Sequence, residues 1–307
     1  MAVHQIDIKE KDILRDRYEI VKYIDSGGMS KVYLARDVKD EHKEWAVKVT
    51  HLEHKMSKQL IQEARLLSEL DHPAIPKIAD FFTSEDGQYF YLVQEFLDGQ
   101  TLLQLSDTKR LSVEEVVDYA LQLCDVLHYL HSIEPEPIIY KDLKPGNVMI
   151  VHGGKVKLID FGVARRYHKN KLHDTSQVGT VGFAAPEQFE KTQTDQRTDI
   201  FSLGAMMYYL LSGGKYVYVS QQPLNAYAEE KLPEKLIETI EKMVALDPKD
   251  RLQRIELVQD ELQTVFHREK TAEDTVKEKG KGLYWIYIGT GLILLGSVIY
   301  FLPKFLF

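Results

Sequence analysis

Cysteine is nearly missing from this chain. Cys124 is the only one in 307 residues, which excludes an internal disulfide and a cysteine-rich zinc site and suits a reducing compartment. Its neighbours Leu121, Val126 and Leu127 point to a buried helical thiol with no chemistry of its own. Basic charge is also short: 39 Lys and Arg stand against 47 Asp and Glu, a net of −8. A nucleic-acid partner is therefore not expected, because such proteins carry a basic surplus. Met1–Arg17 has no apolar run, so it is not a secretory signal. No internal repeat is visible.

With 44% hydrophobic and 28% charged residues, the chain can bury one large core or two modest ones. Its one long apolar run is Leu283–Leu302, without a charge, long enough at ~1.5 Å per residue to cross roughly 30 Å of hydrocarbon. Tyr284, Trp285 and Tyr287 at one end and Tyr300 and Phe301 at the other fit interfacial belts. Arg268, Lys270, Lys277, Lys279 and Lys281 precede the run and only Lys304 follows it. The positive-inside rule then places residues 1–282 in the cytoplasm, as a single-pass protein of the cell membrane. Residues 268–282 are charged without an apolar stripe, which reads as a flexible tether. Only Pro303–Phe307 would lie outside, and the span carries no G-x-x-x-G pair.

The chemistry is concentrated in Tyr140-Lys141-Asp142-Leu143-Lys144-Pro145-Gly146-Asn147 and in Asp160-Phe161-Gly162. Asp142 is a candidate base for a hydroxyl, and Asn147 and Asp160 are candidate Mg²⁺ ligands on a nucleotide's phosphates. Between them, Val148–Val151 and Lys155–Ile159 are β-rich runs around His152-Gly153-Gly154. That is a hairpin signal, and the hairpin returns Asp160 towards Asn147. The pattern implies a phosphoryl-transfer centre; a polar loop beside an unrelated turn is the plain alternative.

On these motifs the chain resembles the protein kinases, and more closely the bacterial eukaryotic-like (Hanks-type) Ser/Thr kinases, over about residues 15–267. The resemblance implies an α+β fold of two lobes, β-rich with one helix over 15–97 and mainly helical over 98–267. An extension (1–14) and the tether, transmembrane helix (283–302) and short tail (303–307) complete the plan. It implies ATP with Mg²⁺, or Mn²⁺ in its place, as cofactors. Protein Ser/Thr would be the substrates, with self-association for autophosphorylation.

Tyr18–Ala35 reads as two strands around Asp25-Ser26-Gly27-Gly28-Met29-Ser30. The family's phosphate-covering loop is G-x-G-x-x-G-x-V, and here Gly27 and Val32 match while Asp25 and Ser30 stand at glycine positions. A carboxylate pointing at the triphosphate would be repelled. Ile24 and Gly28 belong to the same cover. In the strand Trp45–Val49, alternation puts Ala46 and Lys48 on one face and Val47 and Val49 on the other. A lysine on such a face needs a partner, and Glu63 supplies one from a helix over Lys55–Leu70, beside the stripe Leu60, Ala64 and Leu67. The resemblance gives Lys48 the α- and β-phosphates and Ala46 a wall of the adenine slot. It gives Glu95 and Leu97 backbone contacts to adenine, with Gln94 behind the base.

Lys144 resembles the lysine that steadies the transferred phosphate in Ser/Thr kinases. Gly179–Glu187 resembles the loop that receives the peptide and its closing Ala-Pro-Glu. Thr180 is expected near Asp142, and Glu187 is expected to pair with Arg251. Asp199, opening a helix through Phe201–Leu211, should anchor the catalytic-loop backbone. Tyr140 and Lys141 stand where the family carries His and Arg. Tyr140 should pack under Phe161, whereas Lys141 lacks the bidentate fork of arginine. Thr175 and Ser176 are candidate phosphorylation sites, with Arg165, Arg166 and Lys171 as phosphate partners or as plain surface cations. Leu252–His267 reads as a final helix. A catalytically weak pseudokinase, acting as an ATP-binding scaffold at the membrane, stays open, as does a small-molecule kinase.

Overall fold

Apolar residues two apart at Tyr18 and Ile20, at Tyr33 and Ala35, and at Trp45, Val47 and Val49 call for strands with one covered face. The computed structural model describes residues 8–26, 30–53, 57–167, 180–190, 193–220, 223–228 and 231–265, and it contains these strands. Six strands form one antiparallel sheet: β1 (Ile13–Leu14), β2 (Tyr18–Ser26), β3 (Lys31–Asp37), β4 (Asp40–His51), β5 (Ile78–Thr83) and β6 (Tyr89–Glu95). Their order is β1-β2-β3-β4-β6-β5. One face holds Tyr18, Ile20, Tyr33, Trp45, Val47, Val49, Tyr91 and Val93, all buried; each contributes about 1.5–3 kcal/mol. The other face carries the functional residues. Lys48 lies opposite Val32 on β3 and Leu92 on β6, and Ala46 lies opposite Gln94.

The β2–β3 hairpin is tied at its base. Arg17 Nε and Nη2 donate to the Asp37 carboxylate at 3.0 and 2.8 Å, and Trp45 Nε1 donates to it at 3.1 Å. Asp37 is 1% exposed, and the Arg17 guanidinium holds its carboxyl down at about 2. Nearer the tip the pairing slips twice, between Ile20 and Lys22 and between Tyr23 and Asp25.

Helix α1 (Ser57–Leu67) buries Leu60, Ala64 and Leu67. It is shorter than the expected Lys55–Leu70: residues 68 and 69 turn instead, Leu70 is irregular, and 54–56 lie outside the described residues.

The rest is mainly helical. Strand β7 (Gly99–Thr101) leads into α2 (Leu102–Thr108) and α3 (Val113–His131). Ser112 caps α3 in a reciprocal box with Glu115, a motif stabilising by ~1 kcal/mol. After β8 (Ile138–Ile139) come the hairpin β9 (Val148–Val151) and β10 (Lys155–Leu158), then β11 (Arg165–Arg166), α4 (Gln196–Leu211) and α5 (Glu234–Met243). The small sheet runs β10-β9-β7, and β11 pairs with β8. Gly99 is obligatory, since a Cβ there would sit 2.4 Å from the Ile150 carbonyl oxygen. Helix α4 is apolar nearly all round and correspondingly buried.

Asp199 does not open α4. Asp195 caps the helix by accepting from Arg197 N at 2.9 Å, so Asp199 sits in the first turn, fully buried. Residues 1–261 form one compact unit holding both lobes, ending in helical residues 255–261. The helix expected from Leu252 thus begins three residues later. A second unit starts at Leu262, and its described residues, 262–265, are helical. Among the described residues no helix is long and apolar enough to cross a membrane; the run Leu283–Leu302 lies outside them.

Candidate active site

Two antiparallel pairings deliver the polar residues to one place. The β9–β10 register, from Val148↔Leu158 to Val151↔Lys155, brings the chain back so that Ile159 N donates to the Asn147 carbonyl at 3.1 Å. Asn147 and Asp160 are thereby neighbours, as the hairpin signal predicts. From the large sheet, Lys48 Nζ reaches Glu63 Oε1 at 2.8 Å and the Ile159 carbonyl at 3.2 Å. Burial pushes the Lys48 ammonium down, but Glu63 and Asp160 outweigh it and hold it above the usual lysine value. Burial also raises Glu63, against the pull of Lys48. The pair stands as a cation and an anion beside Asp160.

Asp142 is the hub of the catalytic loop. Lys144 Nζ donates to Asp142 Oδ2 at 2.8 Å and to Thr180 Oγ1 at 2.8 Å. Thr180 donates its hydroxyl to Asp142 Oδ1 at 2.8 Å. Asn147 Nδ2 donates to the Asp142 carbonyl at 2.9 Å and to Oδ2 at 2.7 Å. Because the Asn147 amide nitrogen is spent on Asp142, its Oδ1 is the atom left for a cation. Asp160 keeps one carboxylate oxygen on Gly162 N at 2.9 Å. Two hard oxygen donors fit Mg²⁺, which takes one or two protein ligands and completes its shell with phosphate oxygens and water. Among the described residues no group of three or more His, Cys, Asp or Glu converges on one point.

The loop itself is strained and clamped. Lys141 adopts φ +70°, a left-handed conformation that costs a non-glycine residue roughly 1–2 kcal/mol. Asp199 accepts from Tyr140 N at 2.9 Å and from Lys141 N at 2.7 Å, and Gln188 Nε2 donates to the Lys141 carbonyl at 2.8 Å. The Tyr140 and Phe161 rings meet edge to face at 5.1 Å, so Tyr140 packs where expected. Glu187 takes a two-pronged pair from Arg251 at 2.7 and 2.8 Å. Thr198 adds a third bond to Glu187 at 2.9 Å.

Other candidates are placed less centrally. Ile24 is 40% exposed at the hairpin tip, Ala46 is buried, and Val32 and Leu97 are half-buried. The Glu95 side chain turns to Lys157, whose Nζ donates to both carboxylate oxygens at 2.8 Å. Asp25 is exposed and folds back to accept from Ser26 N at 2.7 Å. Arg166 pairs with Glu69, and Arg165 bonds the Gly162 and Ala164 carbonyls. Gly27, Gly28, Lys171, Thr175 and Ser176 lie outside the described residues. Sequence reasoning missed Gln188, Lys157 and His131, the last of which bonds Asp199 at 2.8 Å. Their roles depend on which backbone or carboxylate folding brings alongside, and no local spacing announces that.

The comparisons agree with this geometry. A family model described as "Protein kinase domain" matches residues 18–263. Serine/threonine-protein kinase PrkC of Bacillus subtilis is 28% identical over 275 residues, covering 84% of this chain and 42% of that protein. Serine/threonine-protein kinase PknB of Mycobacterium tuberculosis is 32% identical over 262 residues, covering 78% and 41%. The chain thus spans about two fifths of the length of these relatives. With the family model covering most of its length and the Lys48, Asp142, Asn147 and Asp160 constellation assembled, the chain belongs to the protein kinase domain family.

Proposed function

We propose that this chain is a protein serine/threonine kinase that moves the γ-phosphoryl group of ATP to Ser or Thr hydroxyls of proteins, itself included. The observation that carries the reading is the convergence of Lys144, Thr180 and Asn147 on Asp142 beside Asp160. Asp142 orients the acceptor hydroxyl and takes its proton, and Lys144 steadies charge on the transferred group. Lys48, held by Glu63, faces the phosphates. Asn147 Oδ1 and Asp160 would hold Mg²⁺, which when bound neutralises phosphate charge. A lysine–aspartate–threonine set tied to a peptide-receiving loop suits a protein substrate better than a small molecule.

The test is the purified chain in detergent with Mg²⁺ and ATP. Transfer to itself or to a generic basic protein supports the reading. Nucleotide binding without transfer would make it a pseudokinase, and transfer confined to small molecules would remove the protein substrate. We also read Leu283–Leu302 as a membrane anchor with the kinase domain on the cytoplasmic side. Recovery of the full chain in the soluble fraction without detergent would overturn the anchor. Digestion of the kinase domain by protease added outside intact cells would overturn the orientation.

A further inference from the structure

Strand β6 alternates between its two faces. Tyr91 and Val93 join the core on one side, so Leu92 and Gln94 stand on the other, opposite Lys48 and Ala46 in turn. Leu92 suits a covered face and Gln94 does not. Gln94 is 5% exposed, and its Oε1 is buried without a hydrogen-bond partner among the described residues. A buried amide oxygen left unpaired is destabilising, and such atoms are rare in folded proteins. Methionine or leucine would fill a similar volume without that cost. An amide in this place therefore calls for a partner that comes from outside the fold. Its position says which kind. Lys48 marks the phosphate end of the face, and Gln94 lies two residues along the strands, roughly 7 Å away, just before β6 ends at Glu95. Across from it stands only the small side chain of Ala46, which leaves space for a flat ring.

We propose that Gln94 reads the nucleobase: its amide pairs with the adenine edge that carries the 6-amino group and N7, Oε1 accepting from the amino group and Nε2 donating to N7. This deepens the kinase reading above and rests on it. On that reading the backbone at 95 and 97 meets the amino group and N1, and the second amino hydrogen is left pointing towards the N7 side. A primary amide offers one acceptor and one donor side by side, which matches that edge atom for atom. Glutamine makes the same two-bond pairing with adenine in the major groove of DNA. Guanine presents two acceptors there, O6 and N7. Whichever way the amide is turned, its oxygen then faces another acceptor, so Gln94 also favours ATP over GTP.

Nucleotide titration of the full chain in detergent with Mg²⁺ tests it without needing transfer. The probes are ATP and 7-deaza-ATP, in which a C–H replaces N7. Wild type should bind 7-deaza-ATP about 3–10-fold more weakly than ATP, the worth of one hydrogen bond between neutral groups. In Gln94→Met, and in Gln94→Leu as a second apolar variant, the two nucleotides should bind within about 2-fold of each other. The affinity for 7-deaza-ATP should fall less than that for ATP, because only ATP loses both bonds. A urea midpoint that holds or rises in these variants would separate Gln94 from a packing residue, since each removes an unpaired buried oxygen. Equal binding of ATP and 7-deaza-ATP by wild type would overturn the proposal. So would the wild-type difference persisting in both variants, or both nucleotides weakening alike along with a lower midpoint. A chain that binds ATP but transfers nothing would lose the kinase reading, and the affinity ratios would still decide the role of Gln94. A chain that binds no nucleotide would overturn both.

Discussion

The catalytic loop and the hairpin tip that should cover the phosphates are held by different means. In Tyr140–Asn147, side-chain bonds from Asp199, Gln188, Thr180 and Asn147 fix the backbone and the Asp142 carboxylate together. At the hairpin tip, Tyr23 and Ile24 are 50% and 40% exposed, and Asp25 bonds only its neighbour's amide in the described hydrogen bonds. The hairpin's order comes from its far end, at Arg17, Asp37 and Trp45. The difference teaches where departures from a family pattern matter. A residue change in the clamped loop must satisfy several partners at once, whereas a change at an exposed tip meets water. Tyr140 is tolerated because an aromatic still fills the space against Phe161. At Lys141 the backbone amide and carbonyl make the contacts to Asp199 and Gln188, and a lysine backbone supplies them as an arginine backbone would.

The sharpest way to break this contrast is to alter the hub. Asp142→Asn keeps the shape but removes the base and weakens the bonds from Lys144 and Thr180. Transfer should fall by about 10²–10⁴-fold, with nucleotide affinity unchanged within a few fold. Single-turnover rates beside nucleotide titration measure both. Near wild-type turnover would remove Asp142 from its role and the contrast with it.

Next in size is the buried pair on the sheet side. Lys48→Met leaves Glu63 buried without its cation, and a carboxyl already raised by burial then loses the positive charge that opposes that shift. Glu63→Gln leaves Lys48 with Asp160 as its nearest opposite charge. Each change should lower transfer strongly, by about 10-fold or more, and the double variant should be little worse than the poorer single one, with ~0.5–3 kcal/mol of coupling. Fully additive losses would show two independent residues.

Much of this site was legible in the sequence because its motifs are short and local. The 140–147 stretch, Asp160 and the turn between them fix one another through a hairpin of four-residue strands. Lys48 and Glu63 were legible because period-2 and period-3.6 patterns each name a face. What stayed hidden depends on long-range closure. His131 lies 68 positions from Asp199 and Lys157 lies 62 from Glu95, and nothing at either locus signals the other. The start of α4 was misread because Asp195 and Asp199 both suit a helix N-terminus, and only burial separates the cap from the anchor.

A smaller effect should appear at the base of the hairpin. Asp37→Ala would leave Trp45 Nε1 unpartnered beside the core, a loss of ~1–3 kcal/mol, read as a lower urea midpoint. The native interaction has a pH signature. Asp37 has its carboxyl depressed to about 2 in the fold from an ordinary 3.8, so its contribution is complete above pH ~4 and fades as pH falls towards ~2. Wild type should therefore lose stability over that window more than Asp37→Ala does. Parallel curves for the two proteins would show that the tie at the base is not electrostatic.

The smallest effect belongs to the tip. Asp25 stands where the family carries glycine, and its carboxylate is exposed and turned onto Ser26 N. A charge so placed acts on the triphosphate through screened water, not through contact. Asp25→Gly should tighten ATP binding by about 0.5–1 kcal/mol at low salt, and the gain should shrink as salt rises towards physiological strength. Isothermal titration at two ionic strengths reads this directly. A salt-independent gain would mean that the glycine acts through backbone freedom at the tip. An unchanged affinity at low salt would mean that the carboxylate stays on Ser26 N and leaves the phosphates alone. A gain well above 1 kcal/mol would break the contrast from the other side, because a residue at an open tip cannot shift binding that far unless the tip closes onto the nucleotide as tightly as the catalytic loop is clamped.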